Sequence, residues 1–91
     1  MKYRKKPVVV DAWLWDETVG RFNWLKEQGM TAASHTGHRD RPNECKNLRI
    51  VTPEGTMRAE KGCYIIRGIE REFYPINAKI FRATYEEAPD G

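Results

Sequence analysis

Apolar positions along the chain fall into short alternating runs divided by turn residues, with one stretch at helical spacing. In residues 7–15, Val8, Val10, Ala12 and Leu14 alternate with Val9, Asp11, Trp13 and Trp15. Both sets are largely apolar, which predicts a central strand. Pro7 has no N–H to donate and suits its first position. Asp16 follows as the expected helix N-cap, its carboxylate placed to accept from free backbone N–H groups. Val19, Phe22 and Leu25 recur every third residue, with Trp24 beside them, while Lys26, Glu27 and Gln28 face away. Gly29 suits the left-handed position that ends a helix. Gly20 weakens this helix by about 1 kcal/mol relative to alanine, so it depends on packing against a sheet.

Residues 31–46 carry no apolar period and read as a long polar loop, either functional or mobile, with a concealed short element as a further alternative. Residues 47–52 read as a second strand, with Leu48 and Ile50 on one side and Arg49 and Val51 on the other. Pro53, Glu54 and Gly55 supply turn chemistry. A third strand over 56–60 places Met57 and Ala59 inward, and Lys61 and Gly62 turn the chain. A fourth over 63–69 puts Cys63, Ile65, Arg67 and Ile69 on one face and Tyr64, Ile66 and Gly68 on the other. Glu70 and Arg71 turn it into a fifth over 72–75. Asn77 is placed to cap a short helix carrying Ile80 and Phe81, and residues 87–91 read as a fraying tail. The sum is one α+β domain: a main helix on a curled, mostly antiparallel sheet of about five strands, with a short helix near the C-terminus. Ile65, Ile66, Phe73, Ile80 and Phe81 are expected to pack on Phe22 and Leu25.

Composition narrows the class. The chain has 91 residues, 40% hydrophobic and 32% charged, as in an ordinary globular domain. The net charge of +3 is uneven: through Pro53 there are 10 basic and 6 acidic residues (+4), and beyond it 6 and 7 (−1). Lys2, Arg4, Lys5 and Lys6 account for most of the excess, as a phosphate-contacting cluster or as a solvated lead-in to the first strand. Two cysteines, Cys45 and Cys63, do not make a disulfide framework. The N-terminal apolar run is too short for a signal peptide, and no stretch approaches a membrane span. The expected location is the cytosol, with reduced thiols and no membrane partner.

The beginning, KYRKKPVVVDAWLW, and the later GTMRAEKGCYIIRGIEREFYPINAKIFRATYEE resemble a family of small phage and prophage proteins. That family has a KYRKKPVVVEAFQW-type start, a YIIRG-x3-EFYP hairpin and an IF…TYE ending. The resemblance covers both ends, roughly half the chain, and has no counterpart for residues 31–46. It implies a phage-borne accessory protein in the cytoplasm of an infected bacterium and no general activity. This chain has Cys63 where the pattern has an acid, Ile76 where a cysteine is common and Arg71 where glycine is usual. A site relying on that acid is not carried over.

Candidate chemistry centres on arginines. Arg49, Arg58, Arg67 and Arg71 sit on neighbouring strands and a turn, with Tyr64 and Tyr74 near them in sequence. Guanidinium forks bind phosphate bidentately and tyrosines stack on bases. The alternative is cross-sheet ion pairing to Glu60, Glu70 and Glu72. His35, His38, Cys45 and Cys63 offer a zinc set, though H-x2-H-x6-C is not a finger spacing; the plainer reading is surface histidines and half-buried thiols. A Cys63 nucleophile with a loop histidine is a further alternative, but no helix N-terminus follows the thiol to activate it. No GxGxxG, P-loop, HExxH or GxSxG occurs, and no cofactor is expected. The expected function is therefore non-catalytic. The protein would modulate a host process, such as antiviral defence, by occupying a protein, nucleic-acid or nucleotide-binding surface. A small Cys/His enzyme and a virion or replication assembly factor are the alternatives. Trp13 and Trp15 together exceed what one helix covers, which suggests a homo-oligomer.

Overall fold

The computed structural model describes residues 1–3, 8–37 and 40–87. In chain order these form β1 (Asp11–Leu14), α1 (Val19–Glu27), β2 (Ala33–Gly37), β3 (Cys45–Thr52), β4 (Gly55–Ala59), β5 (Tyr64–Arg67), β6 (Phe73–Ile76) and α2 (Ala78–Thr84). The architecture is α+β and all strand pairs are antiparallel, as expected. The single five-stranded sheet is corrected to two three-stranded sheets, ordered β1-β5-β6 and β2-β3-β4. The stretch expected as a polar loop contains β2, which pairs with β3. Residues Arg4 to Pro7 lie outside the described part, and the first strand begins at Asp11.

The N-terminus of α1 differs by two residues from expectation. Thr18, extended at φ −97° and ψ 147°, is the N-cap, and its hydroxyl accepts from the Arg21 N–H at 3.1 Å. Asp16 acts one step back: its carboxylate accepts from the Thr18 N–H (3.0 Å) and hydroxyl (2.7 Å). Burial alone would push the Asp16 carboxyl up, but the Thr18 hydrogen bonds and the Arg21 guanidinium outweigh it and hold the group below its ordinary value. Gly29, at φ +112°, ends the helix in the conformation expected of it. Asn77 caps α2, its side-chain oxygen accepting from the Lys79 N–H at 2.8 Å.

The main core lies between the sheets and under α1. Trp15, Leu25, Leu48, Ile50 and Ile65 are fully buried there with Phe22, Met30, Cys45, Ala59, Cys63 and Phe73. Each large aliphatic side chain so buried contributes about 1.5–3 kcal/mol. Trp15 has no exposed surface and Trp13 packs against Trp24 and Phe73, so this aromatic pair is covered within one chain. Trp13 and Trp15 therefore need no second chain to cover them.

Ile65 and Ile66 are both fully buried, so both faces of the central strand β5 are covered. Successive strand residues point to opposite faces. Tyr64 therefore faces away from Ile65, and it stacks on Phe81 of α2 with ring centroids 4.1 Å apart. This corrects the expected core. Phe81 packs on the far side of β5, not on Phe22 and Leu25, and Ile80 is exposed. Met57 is also exposed, and only Ala59 of its strand enters the core.

Candidate anion-binding face

The two sheets treat their arginines differently. Arg67 faces α1 beside its cross-strand partner Asp11, with which it forms an ion pair. Its guanidinium lies 5.5 Å from the Trp13 ring and donates to the Gln28 carbonyl oxygen at 3.3 Å. It thus clamps β1, β5 and the end of α1 together. Arg71 lies in the β5–β6 turn at φ +65°. Tyr64 is stacked under α2, and Tyr74 hydrogen-bonds Tyr85 just beyond that helix. Burial, then the Tyr85 contact, pushes the Tyr74 hydroxyl up to about 12. The six residues expected to share one surface are therefore divided: Tyr64 and Tyr74 meet under α2, Arg67 and Arg71 stand apart, and Arg49 and Arg58 come together on the other sheet.

Arg49 on β3 is the direct cross-strand partner of Arg58 on β4 and of Ser34 on β2. Cβ atoms of such pairs stand about 4.5–5.5 Å apart. Both arginines are exposed, on the side of the sheet away from Leu48 and Ile50. Lys46 joins them through an irregularity in the pairing. Ser34 pairs with Arg49 and Thr36 with Lys46, so one residue of β2 opposes two of β3. Residues three apart on a regular strand point to opposite faces. The extra residue, Asn47 at φ +54°, re-phases β3 so that Lys46 and Arg49 both point outward. Ser34, Thr36, Thr56 and Val51 complete the exposed side.

No acidic residue occurs in β2 (ASHTG), β3 (CKNLRIVT) or β4 (GTMRA). Among the described residues the ion pairs are Arg41–Glu44 and Arg67–Asp11, so Lys46, Arg49 and Arg58 have none. The expected cross-sheet bridges to Glu60, Glu70 and Glu72 do not form. Like charges directly opposite on a sheet destabilise it by several tenths of a kcal/mol, a cost that an arriving anion removes. Lys46 was not singled out from the sequence, because its orientation depends on the bulge.

The cysteine and histidine readings are also placed. His35 lies on β2 with its ring edge-on to Phe22, centroids 4.4 Å apart, and His38 lies outside the described residues. Among the described residues no three His, Cys, Asp or Glu side chains gather as a metal site. Burial pushes the Cys63 thiol up to about 11, and burial with the Asp16 and Glu17 carboxylates pushes Cys45 up as well. Both thiols stay protonated at neutral pH, the opposite of an activated nucleophile. An open hollow of about 450 Å³ flanks β4, lined by Arg58, Lys61, Glu60 and Cys63 among others. Its rim mixes both charge signs, unlike the strand face beside it. No helix among the described residues is long and apolar enough to cross a membrane. No family model, curated protein or solved structure matches the chain.

Proposed function

We propose that this chain is a non-catalytic binding protein whose exposed β2-β3-β4 face occupies a phosphate-bearing polyanion. The observation that carries this reading is the direct pairing of Arg49 with Arg58 on a strand face with no acid in any of its strands. Opposite charges across neighbouring strands stabilise a sheet, and like charges facing each other destabilise it. This one concentrates a single sign, and guanidinium pairs suit phosphate oxygens. The beginning and the hairpin motif of the chain add a context: a phage-borne accessory protein that modulates a host process, antiviral defence among them, by covering such a surface. A protein of this kind works by mass action and requires no reaction centre.

Titration calorimetry with inorganic polyphosphate tests the reading. The unmodified protein is expected to bind, and Arg49→Gln with Arg58→Gln is expected to weaken binding at least about tenfold, the loss of two charge-assisted contacts. No binding by the unmodified protein, or equal binding by the double variant, contradicts it.

A further inference from the structure

We infer that the polyanion taken by this face is the sugar-phosphate backbone of a duplex nucleic acid, held without base readout. The inference rests on the polyanion reading above and adds the class of ligand. Its first support is what the face lacks. The chain has three Trp, four Tyr and three Phe, yet none lies in β2, β3 or β4. Proteins that hold single strands stack the unpaired bases on aromatic rings along a groove. Here the aromatic rings are committed elsewhere: Trp13 to Trp24 and Phe73, Tyr64 to Phe81, and Phe81 to Tyr85. A ring-free strand face offers a single strand little beyond charge.

Its second support is what the face carries. Lys46, Arg49 and Arg58 lie among the hydroxyls of Ser34, Thr36 and Thr56. Lysine, arginine, serine and threonine are the side chains that contact phosphate and position a protein on a duplex. Asparagine and glutamine, which read adenine edges, are missing from the exposed positions of these strands. A duplex presents one charge per about 1.7 Å of axis, a greater density than a single strand offers. A cluster of cations with no ion pair of its own gains most from the denser ligand.

Fluorescence anisotropy with a short duplex, one of its strands alone, a duplex of unrelated sequence, inorganic polyphosphate and polyglutamate tests this over salt from about 50 to 200 mM. The expected result is that both duplexes bind alike and about tenfold tighter than the single strand. The slope of log K against log salt should lie near −2.7, about 0.9 for each of three phosphates. Each of Lys46→Gln, Arg49→Gln and Arg58→Gln should lower that slope by about one, whereas Arg82→Gln on α2 should not. If polyphosphate binds through Arg49 and Arg58 but the duplex does no better than the single strand, the duplex assignment is overturned and the polyanion reading stands. Marked preference between the two duplexes, or tighter binding to polyglutamate, overturns it as well. If no phosphate ligand binds, both readings fall.

Discussion

Arg71 holds a backbone conformation that suits glycine better than arginine. The Arg71 N–H donates to the Gly68 carbonyl oxygen at 3.0 Å, closing a turn, and Arg71 then adopts φ +65°. A left-handed residue after such a turn is the usual place for glycine in a three-residue hairpin loop. Arg71→Gly is expected to raise stability by about 0.5–1 kcal/mol, since strain of about 1–2 kcal/mol is relieved and part is lost to unfolded-chain entropy. Urea denaturation measures this, and a fall in the midpoint would contradict the assignment. On β6, burial and the Tyr85 contact push the Tyr74 hydroxyl up to about 12 from an ordinary value of 10. A raised folded-state value means that the unfolded chain loses its proton first. The contribution is therefore fully present below pH 10 and is lost as pH rises from 10 to 12. Tyr74→Phe should flatten the alkaline fall of stability across that window. An unchanged slope would show that the hydroxyl is not held protonated by burial.

The element that decides the face is β3. Its bulge depends on Asn47 at φ +54°, a conformation asparagine tolerates better than most residues. Asn47→Gly should retain the fold and the cationic face, while Asn47→Val should destabilise by about 1–2 kcal/mol or shift the register. Amide exchange across β2 and β3 distinguishes these outcomes, and full tolerance of valine would remove the bulge from the account. Arg58→Glu is more pointed. It places opposite charges across β3 and β4 and should gain a few tenths of a kcal/mol in low salt while abolishing polyanion binding. Parallel loss of both properties would mean that the arginine pair is structural.

Legibility in the sequence followed the same lines. The helix, the strands β3 to β6 and the cap Asn77 were readable because periodicity and turn residues are local signals. Strand β2 was not, since it contributes only Ala33 and His35 to partly buried positions and the rest is polar. Lys46 was unreadable as a site residue because one extra residue inverts which face a strand presents. The split into two sheets was hidden for another reason: it depends on which distant strands pair. Arg67 looked like its neighbours in sequence, and only its pairing with Asp11 marks it as a clamp.

At the scale of the molecule, the two sheets differ in how they place their rings and charges. In β1-β5-β6 the rings are stacked, the arginine is paired and the central strand is covered on both faces. In β2-β3-β4 one face joins the core through Leu48, Ile50 and Ala59 while the other leaves Lys46, Arg49 and Arg58 without counter-charge. The net charge of +3 thus matters less than its placement. The measurement that tests this placement most directly is an amide chemical-shift titration with inorganic polyphosphate. Shifts are expected at Ser34, Lys46, Arg49, Thr56 and Arg58, fading as salt is added, with Arg67, Tyr64 and Tyr74 unmoved. Shifts centred on β1-β5-β6 or on Glu60, Lys61 and Cys63 of the hollow beside β4, or none at saturating ligand, would contradict it.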